Sequence, residues 1–215
     1  MNYIENIFVC LAIPLFIAVL CMGGKGRRMM LFLIAGMTAS LLSSYISTFL
    51  AVTEGASLLE ASLEISPLVE EIMKLFPVLF YILVFEPEMK DAGDACLMTS
   101  IGFATFENVC YLMQSGAESL IRLAVRGAGT GGMHVVCAYI IAAGLRELWD
   151  KEWLRMVGMA ALLVVAAVFH GVYNILVSQT GAVALIGYFV PLVTTAAGLF
   201  LRSWLPVRKP NQTKT

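Results

Sequence analysis

The stretch MVGMAALLVVAAVFHGVYNILV, residues 156–177, contains no charged residue. A helix of about 20 apolar residues is long enough to cross the roughly 30 Å hydrocarbon core of a bilayer. The same stretch ends with His170 and Asn174, which are four residues apart and therefore share one face of a helix. It predicts a membrane-spanning helix that carries polar groups near one end.

The rest of the chain has the same apolar character. Its 215 residues are 60% hydrophobic and 13% charged, whereas soluble domains are about 45 to 50% apolar and roughly a quarter charged. Hydropathy predicts spans near residues 4–22, 30–51, 67–85, 95–114, 130–148, 155–177 and 182–204. We therefore expect an all-α, polytopic membrane helical bundle of about seven transmembrane helices, with residues 1–205 as one transmembrane domain and 206–215 as a short cytoplasmic tail.

Net charge and cysteine content narrow the function classes. The net charge of −1 gives no basic surplus of the kind that nucleic-acid binding needs, so we expect membrane lipid as a partner and no nucleic acid. The five cysteines lie in or beside apolar runs without CxxC spacing, which is typical of buried small side chains rather than of a disulfide framework. The first apolar run lacks a basic start and a cleavage site, which favours a retained span over a signal peptide.

The basic residues outside the spans predict the orientation in a cell (plasma) membrane. Eleven Lys and Arg fall on one side, in the loops after spans 1, 3 and 5 and at the end of the chain, whereas only Arg122 and Arg126 fall on the other. Cytoplasmic loops carry the excess of basic residues, so the N-terminus is expected outside and the C-terminus in the cytoplasm. Residues 57–65 and 119–126 of the outer loops are amphipathic, and we expect them to be short helices on the outer membrane surface.

Spans 3 to 6 carry polar and ionisable side chains in their interiors. A charge at the bilayer centre costs at least about 2.5 kcal/mol, which makes such groups functional candidates. They are Glu70, Glu71 and Lys74 on span 3, Glu107 and Asn108 on span 4, His134 on span 5, and His170 and Asn174 on span 6. With the predicted orientation all of them except Lys74, one turn deeper, fall in the outer half of the membrane, with His134 near the mouth of span 5. We expect them to form one polar site.

These residue types match the requirements of hydrolysis. A carboxylate can take a proton from water, imidazole can position the water or act as an acid, and His or Asn can donate hydrogen bonds to an oxyanion. Glutamate and histidine are also zinc ligands, so zinc remains possible, with Glu107, His134 and His170 as candidate ligands. The rival interpretations are a proton-coupled transporter or channel, since buried Glu and His also form proton relays, and a catalytically inactive membrane binding module.

Four short motifs on consecutive spans give a family resemblance. They are Glu70-Glu71-x-x-Lys74, Phe103-x-x-x-Glu107-Asn108, His134, and His170-x-x-x-Asn174. In this order they resemble the PrsW family of intramembrane proteases and, more distantly, the superfamily of CAAX prenyl endopeptidases and bacteriocin-processing enzymes (CPBP). Glu107 stands where prenyl endopeptidases have histidine, and Lys74 stands where they have arginine one residue later. Both departures follow the PrsW pattern.

The resemblance implies an intramembrane endopeptidase that cuts a single-span membrane protein of the anti-sigma factor type on its extracytoplasmic side, in stress signalling. It implies that Glu70 or Glu71 activates water, that His134 belongs to the catalytic cluster, and that His170 and Asn174 bind the oxyanion. Glu107 would be a further catalytic residue, with Lys74, Asn108 and Phe103 in support. Similarity to prenyl endopeptidases that need no metal slightly favours glutamate catalysis without a cofactor.

Overall fold

The computed structural model describes residues 4–115 and 119–204, and every regular element in these ranges is helical. The helices are α1 (Ile4–Cys21), α2 (Gly24–Glu54), α3 (Leu58–Glu60), α4 (Ser66–Phe85), α5 (Met89–Ser115), α6 (Leu120–Leu148), α7 (Glu152–Val177) and α8 (Ala182–Trp204). A five-residue π-helix, Ala61–Ile65, joins α3 to α4. The predicted all-α bundle is confirmed, and the predicted tail, residues 206–215, lies outside the described residues.

Five of these helices, α1, α2, α5, α6 and α7, are long and apolar enough to cross a membrane. Helix α4 has 20 residues but contains Glu70, Glu71 and Lys74, and α8 is apolar over Ala182–Gly198. The seven predicted spans therefore each correspond to a helix of at least 18 residues. The chain is a multi-pass helical membrane protein.

Helices α2 and α5 cross at close range because glycine stands at both contact points. A Cβ atom on Gly36 would lie 1.9 Å from the carbonyl oxygen of Thr99, and one on Gly102 would lie 2.0 Å from that of Leu33. Small residues let membrane helices approach at backbone distance, where dispersion contacts and weak hydrogen bonds replace the hydrophobic effect. This crossing holds α5, which carries Glu107, against α2.

Helix α6 lies at the centre of the bundle, where it packs against α5, α7 and α8. A layer of apolar side chains lies one turn away from His134. It is on the side of the bundle where α5 starts. Val78, Cys137, Ala138 and Ala166 are 5% exposed or less and belong to one buried cluster. We call this cluster the apolar floor. Val78, Cys137 and Ala166 lie one helical turn deeper than Lys74, His134 and His170 on their respective helices.

The starts of α2 and α5 are tied together by ion pairs at one end of the bundle. Lys25 pairs with Asp94, and Arg28 Nη2 lies 3.1 Å from Asp91 Oδ2. Arg28 also donates a hydrogen bond of 2.7 Å to the hydroxyl of Tyr81 near the end of α4. The basic start of α2 and the largely acidic start of α5 therefore lie at the same end of the molecule.

The two outer amphipathic segments differ from the prediction. Residues 119–126 do not form a separate surface helix but the first two turns of α6, which Ser119 caps by accepting a hydrogen bond from the backbone of Arg122. Two arginines lower the hydropathy of these turns, which is why the predicted span began ten residues too late. Residues 58–65 are helical, as predicted, but they run directly into α4.

Candidate active site

The polar residues of α4 point into the bundle and meet α6. Lys74 Nζ lies 2.6 Å from Glu71 Oε1 and 2.9 Å from Nδ1 of His134. The side chains of Glu71 and Lys74 are only 3% and 5% exposed, and His134 is fully buried. Buried charges require partners, and here Glu71 and Lys74 neutralise each other.

Glu107 extends this chain of contacts across α5. Its Oε2 lies 2.7 Å from Nε2 of His134, and its Oε1 lies 3.7 Å from Nη2 of Arg126. Arg126 was counted in the sequence as an outer loop charge, yet the structure places it beside the site. Ser119 indicates this position, because serine often caps the start of a helix. A helix that begins after Ser119 contains Arg126.

His170 joins the cluster from α7. Its Nδ1 lies 2.9 Å from Glu71 Oε1, and its ring stands edge-on to that of His134, with the ring centroids 5.1 Å apart. Glu71 is therefore shared between Lys74 and His170. Side chains from four consecutive helices, α4 to α7, meet in one layer, and His134 lies midway along α6 rather than near its mouth, because the helix begins at Leu120.

The donor and acceptor inventory fixes the tautomer of His134. A lysine ammonium can only donate, so Nδ1 of His134 accepts the hydrogen bond from Lys74. The proton of the neutral ring then resides on Nε2, which donates to the carboxylate of Glu107. Both nitrogens of His134 are thus engaged.

Glu70 differs from its neighbour Glu71 in having an unused oxygen. Its Oε2 is buried without a hydrogen-bond partner among the described residues and lies 3.6 Å from Nε2 of His170. The Glu70 side chain is 17% exposed and that of Glu71 only 3%, so water reaches Glu70 more readily. Since Nδ1 of His170 donates to Glu71, Nε2 of the neutral ring is free to accept a proton. Glu70 and His170 therefore face each other as two acceptors.

Aromatic and hydroxyl side chains form the walls of the site. The ring of Phe103 is buried 5.0 Å from the His134 ring, and Lys74 Nζ lies 5.3 Å from its centroid. The hydroxyls of Thr130 and Tyr173, one turn outward from the two histidines, are 2.9 Å apart and buried. The sequence predicts neither hydroxyl as part of the site, since a hydroxyl in an apolar helix is common in packing.

The two asparagines lie at the edge of the cluster. Asn174 donates from Nδ2 to the carbonyl oxygen of Ser62, 2.9 Å away, and so ties α7 to the π-helix that precedes α4. Asn108, next to Glu107, is half-buried and does not join the chain of contacts. The structure thus brings together Glu70, Glu71, Lys74, Glu107, His134 and His170, with Phe103 as a wall, and directs Asn174 to the backbone.

Among the residues that the structure describes, three side chains come close enough to hold a metal ion. They are Glu70, His134 and His170, which offer ligand atoms within 4.8 Å of one another. This set differs from the ligands suggested by the sequence, because Glu70 takes the place of Glu107, which is engaged with His134 and Arg126. As arranged, only Glu70 Oε2 and His170 Nε2 are free, whereas catalytic zinc sites use three protein ligands. The arrangement therefore does not fit a catalytic zinc site unless His134 releases Lys74 or Glu107.

Buried carboxylates and imidazoles inside a multi-pass helical bundle are the groups that a membrane-embedded hydrolase needs, although proton relays use them as well. The family model described as "PrsW family intramembrane metalloprotease" matches residues 16–199, which includes every residue of the site. The chain belongs to the PrsW family of intramembrane proteases. No curated protein and no solved structure matches it.

Proposed function

We propose that the protein hydrolyses a peptide bond of a single-span membrane protein near the extracytoplasmic surface, with Glu70 as the base that takes the proton from water. The observation that carries this proposal is the buried, unpartnered Oε2 of Glu70 opposite Nε2 of His170. Glu71 is the poorer candidate, because Lys74 and His170 already occupy its oxygen.

The neighbours of Glu70 supply the remaining steps. Water attacks the carbonyl carbon while its proton passes to Glu70, and the proton then moves 3.6 Å to His170 and on to the leaving amine. Glu71 holds His170 at Nδ1 and favours the imidazolium that forms, which is also our proposed hydrogen-bond donor to the oxyanion. Asn174 uses one N–H group on Ser62 and retains a second for the oxyanion.

A divalent cation held by Glu70, His134 and His170 would supply Lewis acidity to water and to the carbonyl group, but it would require His134 to release Lys74 or Glu107. Because His134 is engaged on both nitrogens, we assign the hydrolysis to the glutamate and histidine side chains themselves.

The orientation predicted from the sequence supports an extracytoplasmic substrate side. Glu70 and Glu107 are the more exposed carboxylates of the cluster, and they lie on the side predicted to be outside, where the loops carry few basic residues. The family resemblance favours an anti-sigma factor as the substrate, cleaved as the first step of a stress response.

The test compares Glu70→Gln with Glu64→Gln, which makes the same change at an exposed position of the π-helix. Single-span reporter proteins of the anti-sigma factor type are co-expressed with each variant, and cleavage is followed on blots. We expect Glu70→Gln to lose about 10²-fold or more of the activity and Glu64→Gln to retain it. Full cleavage by Glu70→Gln would refute the role of Glu70.

A further inference from the structure

Arg126 lies at the outward edge of the site, and the mechanism above gives it no role. Its side chain is 18% exposed and that of Glu107 is 30% exposed, whereas those of Glu71, His134 and His170 are 3% or less. A peptide that approaches the buried cluster therefore meets Arg126 and Glu107 early.

The guanidinium of Arg126 is held in place without hydrogen bonds to Glu107. It stacks on the ring of Tyr111, one turn from Glu107 on α5, with Cζ 3.4 Å from the ring centroid. Its Nη2 is 3.7 Å from Glu107 Oε1, which is an attraction between charges at more than hydrogen-bond length. Stacking and charge thus fix the plane of the group and leave donors for another molecule.

One of these donors is buried. Nε of Arg126 has no hydrogen-bond partner in residues 4–115 and 119–204. Buried donors are nearly always satisfied, and an unmade bond costs free energy. An oxygen atom brought by a bound peptide would satisfy Nε.

The charges around Arg126 favour a neutral oxygen over a carboxylate. The three carboxylates of Glu70, Glu71 and Glu107 outnumber the two cations, Lys74 and Arg126. An additional anion would be repelled by this surplus, whereas every peptide offers neutral main-chain carbonyl groups. Resting on the function proposed above, we propose that Arg126 binds a main-chain carbonyl oxygen of the substrate and so fixes which peptide bond reaches Glu70.

The experiment measures binding separately from cleavage. Fluorescein-labelled ten-residue peptides are screened for binding to the full-length Glu70→Gln protein in detergent, and the tightest binder is then titrated by anisotropy. With Arg126→Lys added, we expect binding to weaken about 10-fold or more, because lysine lacks both Nε and the planar stack. The control, Arg122→Lys one turn further out on α6, should bind within about 2-fold of the parent.

A second measurement leaves the protein fold untouched. Each amide of the peptide is replaced in turn by an ester, whose carbonyl is a weaker acceptor. One ester position should weaken binding several-fold to the protein with Arg126 and have less than about a 2-fold effect on the Arg126→Lys protein. Such a non-additive pair identifies the carbonyl that Arg126 binds.

Three outcomes overturn the inference: Arg126→Lys binds as tightly as its parent, the ester effects are the same in both proteins, or no peptide binds. If binding is unchanged and Arg126→Lys alone slows reporter cleavage by the otherwise wild-type protein, the first of these outcomes applies and Arg126 acts only through Glu107. If binding depends on Arg126 but wild-type protein cleaves neither peptide nor reporter, the proposed function fails and the role of Arg126 stands.

Discussion

At the residue scale, Lys74 is the member of the cluster whose loss should cost the most stability. Its ammonium neutralises buried Glu71 at 2.6 Å and also supports His134. Removing one partner of a buried pair leaves an uncompensated charge, so Lys74→Met should lower the free energy of unfolding by about 3 kcal/mol or more. Thermal unfolding in a fixed detergent measures the change.

The control for Lys74→Met is the same substitution at Lys25, whose pair with Asp94 is 51% and 37% exposed. An exposed pair contributes about 1 kcal/mol or less, so Lys25→Met should leave the melting temperature nearly unchanged. Adding Glu71→Gln to Lys74→Met should restore part of the loss, since the amide carries no charge. Equal melting temperatures for the two lysine variants would contradict the buried pair.

Because both nitrogens of His134 are hydrogen-bonded to other side chains, we expect the enzyme to work without a metal ion. Only two free ligand atoms face each other in the cluster, so the purified enzyme should contain no stoichiometric metal and should keep its activity after exhaustive chelation. Elemental analysis and reporter cleavage measure the two properties. Activity that disappears with chelator and returns with zinc would instead make Glu70, His134 and His170 the ligands.

At the element scale, the crossing of α2 and α5 should tolerate no side chain at its glycines. A Cβ on Gly36 would lie 1.9 Å from a backbone oxygen, and the helices would have to separate. We expect Gly36→Ala to destabilise the protein by about 1 to 3 kcal/mol or more. At Gly131 of α6 a Cβ meets no atom within 4 Å, so Gly131→Ala should be neutral or slightly stabilising, and a comparable loss there would argue against the close crossing.

The helices could be predicted from the sequence because length and hydropathy determine spans directly. Four consecutive spans with polar interiors also indicated that these side chains lie together, since isolated charges in hydrocarbon are costly. The start of α6 could not be located by hydropathy, because Arg126 is tolerated in the helix only through Tyr111 and Glu107. Those are tertiary contacts.

The contact between Asn174 and Ser62 could not be predicted for the same kind of reason. It joins residues 112 positions apart, and the spacing of Asn174 from His170 indicates only that both lie on one face of α7. Likewise, the difference between Glu70 and Glu71 depends on which of them Lys74 reaches. Helical spacing permits either, whereas the packed structure selects Glu71.

At the scale of the whole molecule, the orientation can be tested with fusions. The ion pairs place the basic start of α2 and the start of α5 at the same end of the bundle, and segments rich in Lys and Arg remain in the cytoplasm. A phosphatase that is active only after export should be inactive when fused after Thr215, and an insertion in the loop that joins α5 to α6 should be active. The reverse pattern would place the active site on the cytoplasmic side.

The apolar floor has a consequence for the energy supply of the cell. The chain of polar contacts from Arg126 to Glu70 ends above the apolar floor of Val78, Cys137 and Ala166. We therefore expect the protons released and taken up during hydrolysis to exchange with the water on the open side. Without an apolar layer, a buried cluster of acids and bases would conduct protons across the membrane and dissipate the proton-motive force. We expect the apolar floor to prevent this conduction while the enzyme uses water within the membrane.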